Sequence, residues 1–242
     1  TDHITQIRDH TMRNFAVIAL GALLSVSAVH AQDNMSDSIA EAQAEGELVE
    51  GKSSFRETWV NPSVDFTQYD KILLGEAEFD FRDVGPAQKY RSNMRTTSSK
   101  QEYGILEEDQ QKFKDVVGEA FVKELSKSKK YDIVTDATPG TILLEGAVLD
   151  IVSHVPPEMV GRSDIYLSSV ATVTLVLELH DAVTGEVLAY VEERRKIEQP
   201  GGGRIDSFTM PANSVTIWSD IGRWARSSAS RLRKSMEKAQ KG

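Results

Sequence analysis

The chain has 242 residues, with 28 Lys and Arg against 37 Asp and Glu, a formal net charge of −9 and no cysteine. An acidic surplus argues against nucleic-acid binding, which rests on Lys and Arg meeting phosphates. Without cysteine there is no thiol catalysis, no thiolate metal site and no amino-terminal cysteine to carry a lipid, so lipid anchoring is not expected.

The first element is the uncharged run from Phe15 to Ala31. It falls short of the roughly 20 apolar residues a bilayer-crossing helix needs. Arg13 just after Met12, an apolar stretch from Phe15 to about Val26 and the small-x-small end Val29-His30-Ala31 fit a cleavable export signal instead. Cleavage near Ala31 would place the chain in the periplasm or outside the cell, with no transmembrane segment left. Residues 1–31 are therefore read as upstream residues plus signal. Residues 32–54 are read as an acidic flexible leader with too little apolar surface to offset its ordering entropy, and 55–240 as one α/β domain.

Within that domain Tyr69 to Phe81 reads as a strand, with Leu73, Ala77, Phe79 and Phe81 on one face and Glu76, Glu78 and Asp80 on the other. A long polar loop covers 82–104. The stretch from Ile105 to Lys130 carries a helical stripe of Leu106, Phe113, Val116, Val117, Ala120, Phe121 and Leu125, acids first and lysines last. "YDIVTD" is a short strand, and "TILLEGAVLDIVSHV" is apolar on both faces, as a central strand is. "SSVATVTLVLELH" alternates, and "DAVTG" turns it into "EVLAYVEERRKIE" as a hairpin. A second helix spans Asn213 to Lys238, with Trp218, Ile221, Ala225, Ala229, Leu232 and Met236 inward and several arginines beside them. The expected fold is α/β (α+β): a mixed, mainly antiparallel sheet in the order β-α-β-β-β-β-α with helices on one face.

The segments "WVNPSVDFTQYDKILL", "LEEDQQKFKDVVGEAFVKEL", "TPGTILLEGAVLDIV", "LELHDAVTGEVLAY" and "WSDIGRWARSSASRLRKSM", in that order, resemble a bacterial family of predicted outer-membrane lipoproteins known only as a domain of unknown function. The resemblance covers about Thr58 to Lys238. It implies an envelope location and a fold loosely similar to envelope assembly modules such as the amino-terminal domain of TolB. It supplies no catalytic residues, and this chain has Gln32 where the family's lipid-bearing cysteine is expected.

Glu76, Glu78 and Asp80 place three carboxylates on one strand face, a pattern that suits oxygen-ligand metals or acid–base catalysis but also an ordinary solvated face. His154 and His180 are the only histidines after the signal, too few for a zinc set built on His and Cys, so no metal and no cofactor are expected. Lys89, Arg91 and Arg95 in the long loop, with Arg223 and Trp224 on the second helix, form the expected interaction surface. Its partner would be an envelope protein, a lipid headgroup or a second copy. The expected function is a non-enzymatic periplasmic envelope protein, a binding or assembly module. The alternative is a carboxylate-dependent, metal-assisted hydrolase of an envelope polymer acting through Glu76, Glu78 and Asp80.

Overall fold

In the computed structural model the described residues are 42–43, 47–84, 102–156, 166–198, 210–211 and 214–241. The segment read as an export signal, residues 32–41, most of the loop with Lys89, Arg91 and Arg95, and the "QPGGG" connector lie outside them. The strands are β1 (Val49–Glu50), β2 (Glu57–Val60), β3 (Lys71–Phe81), β4 (Asp132–Val134), β5 (Thr141–Ser153), β6 (Tyr166–Leu167), β7 (Ser169–Asp181), β8 (Val187–Glu198) and β9 (Met210–Pro211); the helices are α1 (Glu107–Leu125) and α2 (Ser214–Ala239). Seven strands form one sheet in the order β1-β2-β8-β7-β5-β3-β4, and β6 pairs with β9 apart from it. β3 runs parallel to both β4 and β5, and every other pairing is antiparallel. This is the mixed, mostly antiparallel α+β arrangement that the patterning indicates. No helix among the described residues is long and apolar enough to cross a membrane.

Alternation explains the two faces. On β7, Val173, Leu175, Leu177 and Leu179 are buried in the core under the helices. Thr172, Thr174, Glu178 and His180 occupy the intervening positions, so they face the other way. On β3 the phase changes. Ile72 is 1% exposed and Leu74 packs on the core, yet Phe79 and Phe81 also pack there. A bulge between Leu74 and Ala77 reconciles the two, because one extra residue inverts the alternation. Leu73, expected inside, thus lies across from Leu143 in the opposite phase to Ile72. Gly75 sits at the bulge because a Cβ there would lie 2.9 Å from Glu145 Cγ and 3.3 Å from the Leu144 carbonyl oxygen.

The helices close the inner face around Phe113, which is 1% exposed and meets Phe79, Phe81 and Trp224 at ring-centroid distances of 6.2, 5.9 and 6.4 Å. Trp224, expected at an interface, is therefore a core residue. It follows Ile221 by three positions and precedes Ser228 by four, so it shares their face. The buried stripe is wide because α2 packs against α1 as well as the sheet. Trp218 is half-buried, with the Lys112 ammonium 4.5 Å from its ring centroid.

The folded part begins before residue 55. Val49 and Glu50 pair with β2, Leu48 and Ala42 pack with Trp59, Val187 and Tyr190, and Phe55 enters the main core. The acidic average of the leader hides these few apolar anchors. The basic ridge of α2 also turns partly inward. Arg231 donates to both Glu193 oxygens (3.1 and 2.5 Å) and to the Ser54 carbonyl (2.9 Å), with its guanidinium 4.3 Å from the Phe55 ring centroid.

Candidate functional site

Two features stand out once the sheet is built, one on each face. On the outer face, Glu145 of β5 and Glu178 of β7 are direct cross-strand partners, and His180 follows Glu178 on the same side of β7. His180 Nε2 lies 3.0 Å from Glu178 Oε2 and 3.7 Å from Glu145 Oε2. Glu178 is 3% exposed, and its second oxygen, Oε1, is buried without a hydrogen-bond partner. The hydrogen bond to Glu178 raises the His180 pKa above its ordinary value, outweighing the opposing effect of burial. Further along the row, Tyr190 pairs with Glu178 across β8 and donates to Glu192 Oε2 at 2.7 Å. Burial, followed by that bond and the nearby charges of Glu192, Glu178 and Glu57, pushes the Tyr190 phenol up strongly.

The second feature lies between β3 and α1. β4 covers β3 only from Lys71 to Leu73, and β5 occupies the other side. From Leu74 to Phe81, one backbone edge of β3 has no strand beside it among the described residues. Next to this edge lies a groove of about 170 Å³, lined by Leu74, Ala77, Phe79, Val117, Phe121 and Val122, with Glu76 and Glu78 also on its wall. Val122 is 47% exposed. Gly118 lies within α1 on the same wall, and nothing stands within 4 Å of the place its Cβ would take. A glycine inside a helix costs about 0.5–1 kcal/mol relative to alanine, so this opening is kept at the expense of stability. A larger cavity, about 270 Å³, opens between the starts of the two helices against Phe113, Val170, Trp218 and Ile221.

Glu76, Glu78 and Asp80 are strung along β3 rather than gathered. Glu76 is exposed, whereas Glu78 and Asp80 are half-buried. Asp80 accepts from the Asp150 backbone N–H at 3.3 Å, and burial, then the charge of Asp80, raises the Glu78 pKa. Their ligating atoms form no three-membered group; among the described residues only Glu145, Glu178 and His180 do, with all three atoms within 4.8 Å of one another. His154 is not at the surface: it is 4% exposed, with Nδ1 2.7 Å from Ser169 Oγ and Nε2 3.1 Å from Thr172 Oγ1. Arg223 is half-exposed and ion-paired with Asp220, while Lys89, Arg91 and Arg95 lie outside the described residues. The Glu145–Glu178–His180 cluster escaped sequence reading because it joins two strands. Its one local sign was the Glu-x-His spacing of Glu178 and His180, which places both on one strand face.

A search among functionally curated proteins returns no match. Among solved structures, a DUF330-family protein from Xanthomonas campestris is similar at 12% identity and a TM-score of 0.36, covering 78% of this chain and 95% of its own. A neuraminyllactose-binding hemagglutinin homolog from Helicobacter pylori matches at 15% identity and 0.35, over 71% and 90%. The PelC dodecamer from Paraburkholderia phytofirmans matches at 12% and 0.30, over 72% and 95%. At these scores the likenesses carry no argument about what the chain binds. A family model, in contrast, matches residues 47–209, from the residues just before β1 to just short of β9, and the chain belongs to that family, described as a protein of unknown function (DUF3313).

Proposed function

We propose that this chain is a non-enzymatic binding module of the cell envelope, working in the periplasm or outside the cell after loss of its export signal near Ala31. Its docking surface is the β3–α1 groove, and its partner is an extended segment of an envelope protein. The observation that carries this reading is the open edge of β3 beside an apolar groove. An extended segment laid there would complete the hydrogen bonding of the strand, while every second side chain entered the space between Ala77 and Val122. Glu76 and Glu78 favour basic residues at the alternate positions. The same carboxylates disfavour two copies pairing edge to edge, since like charges would then face each other. Lys89, Arg91 and Arg95, with Arg223, are proposed as a further contact to an acidic envelope component.

The test is photocrosslinking in intact cells from a probe at Val122, with a probe at the exposed Val183 on the β7–β8 turn as control. The expected result is a protein adduct from Val122 alone, lost when Gly118→Leu fills the groove and kept in Gly118→Ser. An adduct pattern shared by both probes, or one unchanged by Gly118→Leu, would overturn the assignment.

A further inference from the structure

We propose that Glu145, Glu178 and His180 form a binding site for a divalent transition metal, with zinc as the reference ion. This inference is independent of the groove, since the cluster lies on the opposite face of the sheet. The first argument is geometric. Tetrahedral zinc with bonds of about 2.0–2.1 Å to nitrogen and oxygen holds its ligands roughly 3.3 Å apart. The separations of His180 Nε2 from the two carboxylates, 3.0 and 3.7 Å, bracket that spacing. All three donors stand on adjacent, hydrogen-bonded strands, with Glu145 directly opposite Glu178. A side-chain adjustment and release to solvent of the His180 Nε2 proton, now shared with Glu178, separate this arrangement from a three-ligand site with its fourth position open to water.

The second argument is the state of Glu178. A carboxylate removed from water normally has its oxygens hydrogen-bonded or paired with cations. Here Oε1 has no partner, and among the described residues no Lys or Arg lies within ion-pair distance of Glu178 or Glu145. Glu192, which accepts from the Tyr190 hydroxyl beside Glu178, adds negative charge on the same row. A dication would supply the missing positive charge and give Glu178 a second contact. The third argument is the donor set. One imidazole with two carboxylates suits zinc and its first-row neighbours better than calcium or magnesium, which take oxygen ligands. Glu145 keeps 42% of its side chain exposed, which leaves a path from solvent. Counting histidines and cysteines pointed away from zinc because it gave no weight to carboxylates brought together by strand pairing.

The experiment is calorimetric titration of the purified chain with zinc, then with calcium, beside Glu145→Gln and His180→Asn. Both substitutions lie on side chains that reach solvent, and circular dichroism in the presence of a chelator checks that the variants fold. The expected outcome is one high-affinity zinc per chain, affinity at least tenfold lower in each variant and a thermal midpoint that a given zinc concentration raises less in each variant than in the unaltered protein. Absence of a zinc isotherm would overturn the proposal. So would affinities that neither substitution changes, or calcium binding as tight as zinc.

Discussion

The outer face of the sheet carries two groups of acids, and they are treated in opposite ways. Toward the end of β5, Asp150 is held by two guanidiniums. Arg82 bonds to it through two nitrogens, one contact at 2.6 Å, and also reaches Glu102 at 2.5 Å, while Arg194 of β8 pairs with Asp150 from the other side. The bond from Arg82 holds the Asp150 carboxyl below its usual range, against the effect of partial burial. Nearer the β7–β8 hairpin, Glu145 and Glu178 face one imidazole and no guanidinium among the described residues. Both groups tie separate segments together: the first links the end of β3, β5 and, across β7, β8, and the second links the adjacent β5 and β7. One is compensated by its own chain and works as a clamp; the other holds negative charge that a partner from solution can satisfy.

The largest effect is expected from breaking the clamp. Asp150→Ala strips two arginines of their shared carboxylate. A broken buried pair costs about 3–5 kcal/mol and an exposed one at most about 1; with Asp150 30% exposed, about 2 kcal/mol is expected. Asp150 also has φ of 53°, a left-handed conformation that Asp and Asn tolerate better than alanine. Asp150→Asn separates the two contributions, because it keeps the backbone preference and removes the charge. Urea unfolding should rank the proteins as wild type, then Asn, then Ala. If the two variants unfold together, the backbone has no part in the loss.

A smaller change of opposite sign is expected from Glu178→Gln, measured with a chelator present and above the raised His180 value, where the imidazole is neutral. The amide oxygen can still accept from His180, while repulsion from Glu145 and Glu192 falls. Stability should rise by no more than about 1 kcal/mol. A loss as large as that of Asp150→Ala would show that the second group is compensated after all, and the contrast between the two would collapse.

The patterning carried the fold further than it carried the sites. β5, β7, β8 and both helices follow from periodicity, because each buries a continuous row of apolar side chains. β1 and β2 did not show: they are short, and their apolar anchors, Leu48 and Trp59, sit among acids and a serine pair. The bulge in β3 was hidden because Leu73 and Phe79 fit a strict alternation that one extra residue breaks. Of the candidate residues, Glu78 and Asp80 lie on the strand face assigned to them, whereas Trp224 was placed outside because its neighbour Ala225 already filled the expected stripe. The Glu145–Glu178–His180 group depends on the register between β5 and β7, which no local pattern encodes. Arg82 just past β3, Asp150 of β5 and Arg194 of β8 come from three separate segments and were invisible for the same reason.

The smallest effect, and the finest probe of the outer face, is the pH response of its two histidines. His154 is buried between Ser169 and Thr172; burial lowers its pKa, Lys196 adds to that, and Glu102 and the contact with Ser169 oppose it. The unfolded chain therefore takes up a proton near pH 6.5 that folded His154 resists. Its contribution to stability is present above about 6.5 and is lost as pH falls toward and through the folded value. His180, raised by Glu178, does the reverse: its contribution is present at low pH and is lost as pH rises through its folded value. The His154 contribution changes mainly below about pH 6.5 and the His180 contribution mainly above it, with opposite slopes, so the wild-type curve has its maximum near there and a difference between variants resolves the two. His154→Gln retains a donor and an acceptor for the two hydroxyls but cannot titrate. Its urea midpoint should fall less than that of the wild type on going from pH 7.5 to 5.5. An equal or larger fall would mean that His154 is protonated in the folded protein, and that this end of the face is open to water despite its geometry.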